Sequence, residues 1–264
     1  MIELLSHPFV IRATLAAVGV ALVCSAMSFF VVLRRMAFVG SGVAHIAFGG
    51  VALALLLDLP VVVGATFASV AAAVVIAGTR RSVTLAEDTM IGILFAVVMA
   101  FGVVCAHYGR ATSVDLMVYL FGNVLTVTWT DVLLIGVLAA GVLAVLWALF
   151  WPLVYVSFDE ESAGLARLPT RALTVLLFVL IAFTIALSIR TVGLLLVSAL
   201  LVIPGATAQR LAGNVQGFLA ASIAVGLASA IGGLALSFAA DLPSGATIVL
   251  VAGAIFAAAS LVRR

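Results

Sequence analysis

The stretch GSGVAHIAFGG, residues 40–50, places one imidazole in a run of glycine, alanine, serine and valine. Ser41 and His45 are four residues apart, so on a helix the hydroxyl and the ring share a face. Neutral imidazole is a good ligand for zinc and an acceptable one for manganese or iron. A serine beside a histidine also suggests nucleophilic attack, which requires the base within hydrogen-bond reach of the hydroxyl. On one straight helix both side chains tilt toward the N-terminus, a poor geometry for that attack. Nor does the sequence contain the HExxH of a metalloprotease. Metal binding is the better use of the pair, and a histidine hydrogen-bonded to a neighbouring helix is the plain structural alternative. His7 and His107 sit near the ends of apolar runs and read as interfacial. Cys24 and Cys105 lie inside such runs without CxxC spacing, as small core residues.

The elements that must position His45 follow from the composition. Of 264 residues only 8% are charged and 66% are hydrophobic, with mean hydropathy +1.44. An ordinary soluble domain carries about a quarter charged residues, so most of this chain must be solvated by lipid. It reads as an all-α polytopic membrane protein with a single transmembrane domain over residues 1–264. A span takes about 20 apolar residues. The runs fall near 13–33, 36–57, 60–78, 89–107, 131–156, 171–189, 191–209, 215–239 and 245–262. That gives roughly eight or nine transmembrane helices; a tight turn expected at Arg190 and the segment 108–130 leave the count open. Long continuous runs of Ala and Leu differ from the alternating strands, about ten residues each, of an outer-membrane barrel. His45 lies near the middle of the second span, where such side chains are rare and face the bundle interior or a cavity.

The arginines orient the chain. With nine spans and the N-terminus outside, Arg34, Arg35, Arg80, Arg81, Arg167, Arg171, Arg210, Arg263 and Arg264 fall at cytoplasmic ends. Arg12, Arg110 and Arg190 remain outside. A net charge of +2 is thereby accounted for by topology and calls for no nucleic-acid partner. The start, MIELLSHPFVIR, lacks the basic n-region and small-residue cleavage site of a removed signal peptide and is expected to stay. All 12 basic residues are arginine. A P-loop ATPase needs its lysine at the nucleotide phosphates and a Schiff-base enzyme needs a lysine amine, so this chain is neither. ATP-driven work would require a separate subunit at the cytoplasmic face.

The most polar cytoplasmic segment is where such a subunit would dock. Trp147, Trp151 and Tyr155 suggest an interfacial aromatic band, followed by FDEESAGLARLPTRAL from Phe158. Asp159, Glu160 and Glu161 open a short helical pattern and Arg167 and Arg171 follow it, complementing the macrodipole. A plain solvated loop helix has the same signature. In LLLVSALLVIPGATAQRL, Pro204 and Gly205 break the seventh span; broken helices line transport paths and also occur in packed bundles. Gly40, Gly42, Ala44, Ala47, Gly49 and Gly50 permit close backbone approach between helices. The stretches GGVALALLLDLP (Gly49 to Pro60) and GGLALSFAADLP (Gly232 to Pro243) share GGxAL and DLP at identical spacing, a hint of similar local packing at the same face.

The run SFFVVLRRMAFVGSGVAHIAFGGVALALLL resembles the first signature of the ABC-type zinc, manganese and iron permease family. EDTMIGILFA from Glu87, DLMVYLFGNVLTVTWTD from Asp115, FDEESAGLARLP from Phe158, VGLLLVSALLVIPGATAQRL from Val192 and DLPSGATIVLVAGAIF from Asp241 follow in the family's order. The resemblance implies a permease subunit of an ABC importer in the cytoplasmic (inner) membrane, moving a divalent metal inward by alternating access, with zinc as the expected substrate. It implies a homodimer, two cytoplasmic ATP-binding subunits, an extracytoplasmic metal-binding protein and no permanently bound cofactor. The coupling helix would correspond to residues 158–169, with Phe158, Asp159, Glu160, Glu161, Ala163, Gly164, Leu168 and Pro169 meeting the ATPase. His45 matches the family's histidine ligand, whereas Ser41 stands where many members have an aspartate; a hydroxyl is a poorer, neutral ligand. Asp88, at the cytoplasmic start of the fourth span, is the acid expected to help the ion leave. Arg167 stands where a glycine commonly precedes Leu-Pro. A manganese, iron or metal-chelate permease is the alternative within transport, and a non-transporting membrane scaffold is the alternative outside it.

Overall fold

The computed structural model describes residues 8–79, 87–108 and 127–262. Every regular element among them is an α-helix: α1 (Pro8–Leu33), α2 (Ala37–Leu56), α3 (Val61–Thr79), α4 (Glu87–Tyr108), α5 (Trp129–Ala148), α6 (Phe150–Phe158), α7 (Glu160–Leu165), α8 (Thr170–Val192), α9 (Leu194–Leu200), α10 (Ile203–Leu211), α11 (Val215–Ala240) and α12 (Ser244–Val262). Eight stretches, with α9 and α10 taken together, are long and apolar enough to cross a membrane. The 23 residues of α8 are long enough for a further crossing at about 1.5 Å rise per residue. Large apolar side chains such as Val97, Leu133, Val137 and Leu250 point outward, as expected where lipid is the solvent. His7, Arg80, Arg81, Arg110, Arg263, Arg264 and most of the 108–130 segment lie outside the described residues.

Two expected spans are divided, and proline is the cause in both. The 131–156 run is a pair of helices because the Pro152 ring clashes with the carbonyl four residues back; that residue is Ala148, where α5 ends. Likewise Pro204 lies four residues after Leu200, where α9 ends. The tight turn between the sixth and seventh spans falls at Gly193, with φ 82°, and not at Arg190, which lies within α8. Glycine adopts that backbone without a Cβ penalty.

Helix ends recur in one form. Arg35, Asp58, Arg167 and Asp241 have φ of 57°, 53°, 61° and 52°, and each stands at the end of a helix. After α1, Arg35 N–H donates to the Val32 carbonyl at 3.0 Å and Met36 N–H to Val31 at 2.9 Å. After α7, Arg167 N–H donates to Gly164 at 3.0 Å and Leu168 N–H to Ala163 at 3.1 Å. This paired closure consumes carbonyls that a helix C-terminus leaves unpaired. The left-handed residue in it is most often glycine, and here arginine fills it at Arg35 and Arg167.

The two most deeply buried spans are α1 and α2, each packed mainly against its own set of neighbours. α2 lies between α3 and α4, while α11 and α5 flank α1. In lipid there is little hydrophobic gain from pairing apolar helices, so close van der Waals fit decides which ones associate. A Cβ on Gly50 would overlap the Gly64 carbonyl of α3, and one on Gly49 would come within 2.7 Å of the Val98 carbonyl of α4. At the arginine-bearing end, Phe29 stacks on Phe150 of α6 at 5.8 Å and meets Phe218 of α11 edge-on at 4.7 Å. Arg34 Nη2 donates to Thr174 Oγ1 of α8 at 3.1 Å, which ties the end of α1 to the start of α8.

Candidate metal centre on the second helix

His45 lies just before the midpoint of α2 and is half-buried. Its Nδ1 is 2.7 Å from the Ser41 carbonyl oxygen. A carbonyl can only accept, so Nδ1 carries a proton and, in the neutral ring, Nε2 keeps its lone pair. The four-residue spacing noted in the sequence therefore does specific work: it fixes the tautomer and leaves one nitrogen able to bind a metal. A hydrogen bond from the other ring nitrogen to a carbonyl commonly orients a histidine ligand. Ser41 contributes its backbone carbonyl to that arrangement, and its side chain is half-buried on the same helix.

The neighbour that sequence reasoning missed is Phe95 of α4. Its ring lies 4.8 Å from the imidazole, with the planes at 80°. The register that brings them together is set by small residues. Gly42 of α2 receives Ile91, and Gly49 receives Val98 and Gly102, so α2 and α4 run parallel with His45 opposite Phe95. Glycine spacing in α2 predicted a close neighbour without saying which helix it was.

The same register locates Asp88. It precedes Ile91 by three residues, near the level of Val39, and His45 lies about six residues further along, on the order of 9 Å by helical rise. Asp88 thus opens α4 well below His45; its side chain lies outside the described residues. Among the described residues, no three His, Cys, Asp or Glu side chains converge to hold a metal. A closed four-ligand structural zinc site is not built from them. Pro204 and Gly205 are buried, and Gly205 N–H donates to Ser28 Oγ of α1 at 2.8 Å. Within the chain the break therefore seats α10 against α1.

The segment from Phe158 to Pro169 forms an elbow at the arginine-bearing end. Asp159 Oδ1 accepts from the N–H groups of Glu161 and Ser162, at 3.0 and 3.1 Å, and its other oxygen accepts from the Ser162 hydroxyl. Those Ser162 bonds, hydroxyl first and then N–H, together with the Glu161 N–H, hold the Asp159 carboxyl below the usual carboxylate range. Glu160 and Glu161 fill the first turn of α7, favourable for the dipole. Ala163 is buried, packing the short helix inward, and Leu168 is half-buried. Phe158, Asp159, Glu161, Gly164, Leu165 and Pro169 face outward, with Phe158 63% and Leu165 84% exposed. Phe158 and Leu165 thus leave two large apolar side chains exposed on an otherwise polar elbow.

Eight stretches long and apolar enough to cross a bilayer define a multi-pass integral membrane protein. The chain belongs to the ABC 3 transport family, whose model matches residues 6–263. It is 35% identical over 257 residues to the manganese transport system membrane protein MntC of Halalkalibacterium halodurans, covering 97% of this chain and 88% of that protein. It is 33% identical over 247 residues to the high-affinity zinc uptake system membrane protein ZnuB of Haemophilus influenzae, covering 92% and 94%. The solved structure of PsaBC from Streptococcus pneumoniae in complex with Fab superposes with TM-score 0.87 at 30% identity, covering 98% of this chain and 93% of that one. The chain is a multi-pass membrane permease of the ABC type that serves manganese, zinc or iron.

Proposed function

We propose that this permease carries zinc into the cytoplasm, with His45 Nε2 as the ligand in the path. The observation that carries the reading is the Nδ1 bond to the Ser41 carbonyl at 2.7 Å, which presents one neutral nitrogen inside a membrane span. Imidazole favours zinc over manganese, which prefers more oxygen donors. A transport site must release its ion, and a lone imidazole with neutral oxygens suits that need. On this reading two copies of the chain form the pathway and an extracytoplasmic protein delivers the ion. Asp88 assists its exit and the Pro204–Gly205 break serves as a joint along the path. Two ATP-binding subunits engage the exposed elbow, since the chain has no lysine for a P-loop. Manganese is the second reading, supported by the 35% identity to a manganese transport protein. The test is uptake of radiolabelled zinc in cells lacking their other zinc importers and supplied with the complete transporter. Zinc uptake that resists a tenfold excess of manganese is the expected result. Labelled manganese entering while zinc does not would overturn the zinc assignment.

A further inference from the structure

We infer that Phe95 is a positioning residue for the metal ligand, setting the orientation of the His45 ring and through it the affinity of the site. The inference rests on the reading of His45 as a ligand.

An imidazole on a helix has two side-chain torsions. The bond to the Ser41 carbonyl restrains one ring atom, Nδ1, at 2.7 Å, but a ring held at one atom can still tilt about that bond. Phe95 supplies the second restraint. Its centroid lies 4.8 Å from that of the imidazole and the planes are 80° apart, the edge-to-face geometry that aromatic pairs favour. Phe95 comes from α4, so the ring is gripped from two helices. The grip is rigid because the helix pair is: Ile91 lies against Gly42 one turn before, and Val98 against Gly49 one turn after. At Gly92, three residues before Phe95, nothing lies within 4 Å of where a Cβ would stand. Packing is therefore tight at Ile91, Phe95 and Val98 and open on the adjoining face of α4. An apolar ring beside the imidazole also adds no donor atom, which keeps the site neutral and weak.

Groups that hydrogen-bond and orient a histidine ligand typically change metal affinity by about ten- to a hundredfold when removed, and a ring contact belongs at the weak end of that range. For Phe95→Ala the expected loss is about tenfold. The experiment measures equilibrium binding of Zn2+, and the visible absorption of bound Co2+, in the assembled transporter purified in nanodiscs. Wild type is compared with Phe95→Ala, Phe95→Tyr, Phe95→Leu and His45→Ala. The expected pattern is weaker Zn2+ binding and an altered Co2+ band in Phe95→Ala, recovery in Phe95→Tyr, incomplete recovery in Phe95→Leu, and unchanged assembly in all three. Wild-type affinity and Co2+ spectrum in Phe95→Ala, with binding abolished in His45→Ala, would overturn the role of Phe95 and leave the ligand reading standing. Full binding in His45→Ala would overturn the ligand reading itself. Equal affinity in Phe95→Leu and Phe95→Tyr would show that bulk and not the aromatic edge is what matters, which also contradicts the proposal.

Discussion

The α2–α3 and α11–α12 hairpins share GGxAL and DLP at identical spacing, yet only the first carries a histidine. Both end their first helix on Asp-Leu-Pro, with Asp58 and Asp241 left-handed at φ 53° and 52°. Leu59 N–H donates to the Ala54 carbonyl at 2.9 Å and Leu242 N–H to Ser237 at 3.1 Å. In both, the second glycine of the Gly-Gly pair lets the following helix in: Gly50 meets Gly64, and Gly233 meets the Ile248 backbone. The first glycine separates them. Gly49 is buried under Val98 and Gly102 of α4, whereas Gly232 is exposed and would meet only Val251, at 3.5 Å. A shared local code makes a helical hairpin; a third helix closing over its outer face is what sets the first hairpin apart from the second. α4 is that third helix, and it brings Phe95 to His45.

The comparison breaks most sharply at the first glycines. Gly49→Ala forces the Val98 carbonyl aside and is expected to cost about 1–3 kcal/mol by overpacking. Gly232→Ala should be neutral or stabilise by up to about 1 kcal/mol through helix propensity. Thermal unfolding of the detergent-purified chain separates the two, and equal losses would mean that α4 does not clasp α2 as described. The shared ends predict the opposite pattern. Asp58→Gly and Asp241→Gly should each stabilise by about 0.5–1 kcal/mol, since glycine accepts the left-handed backbone freely. A gain at only one would sever the likeness of the two turns.

The smallest effect is at the elbow, which neither hairpin touches. The Asp159 carboxyl is held low when folded, so its contribution is complete above the ordinary aspartate value of about 3.9. It is lost as pH falls through the lower folded value. Amide protection in α7 should be flat from neutral pH to about 4 and decline below, and Asp159→Asn should flatten that decline. A decline already complete at pH 5 would assign the titration to another group.

Much of this was legible in the residues, for physical reasons that differ by region. Lipid solvation forces long apolar runs, so the helices could be placed from composition, and the elbow from its acids at a helix start. His45 stood out because imidazole inside a span is costly. The break at Pro204 was legible, but because the clash of a proline falls four residues upstream its helix already ends at Leu200, and the corresponding break at Pro152, which ends a helix at Ala148, escaped altogether. Thr128 and Asp131, which cap α5 reciprocally, carry a T-x-x-D signal that was readable but unused. Phe95 was not readable at all. One more phenylalanine among 16 has no mark of its own, and its role exists only through the parallel register of α2 with α4.

Whether the Nε2 lone pair of His45 carries the ion is read most directly from transport by His45→Ala. Labelled-zinc uptake would be compared between wild type and variant at matched membrane abundance and with the same ATPase and binding protein. The account predicts uptake reduced to the level of cells without the permease, with the variant still inserted and still assembled with its ATPase. Uptake at the wild-type rate would contradict it.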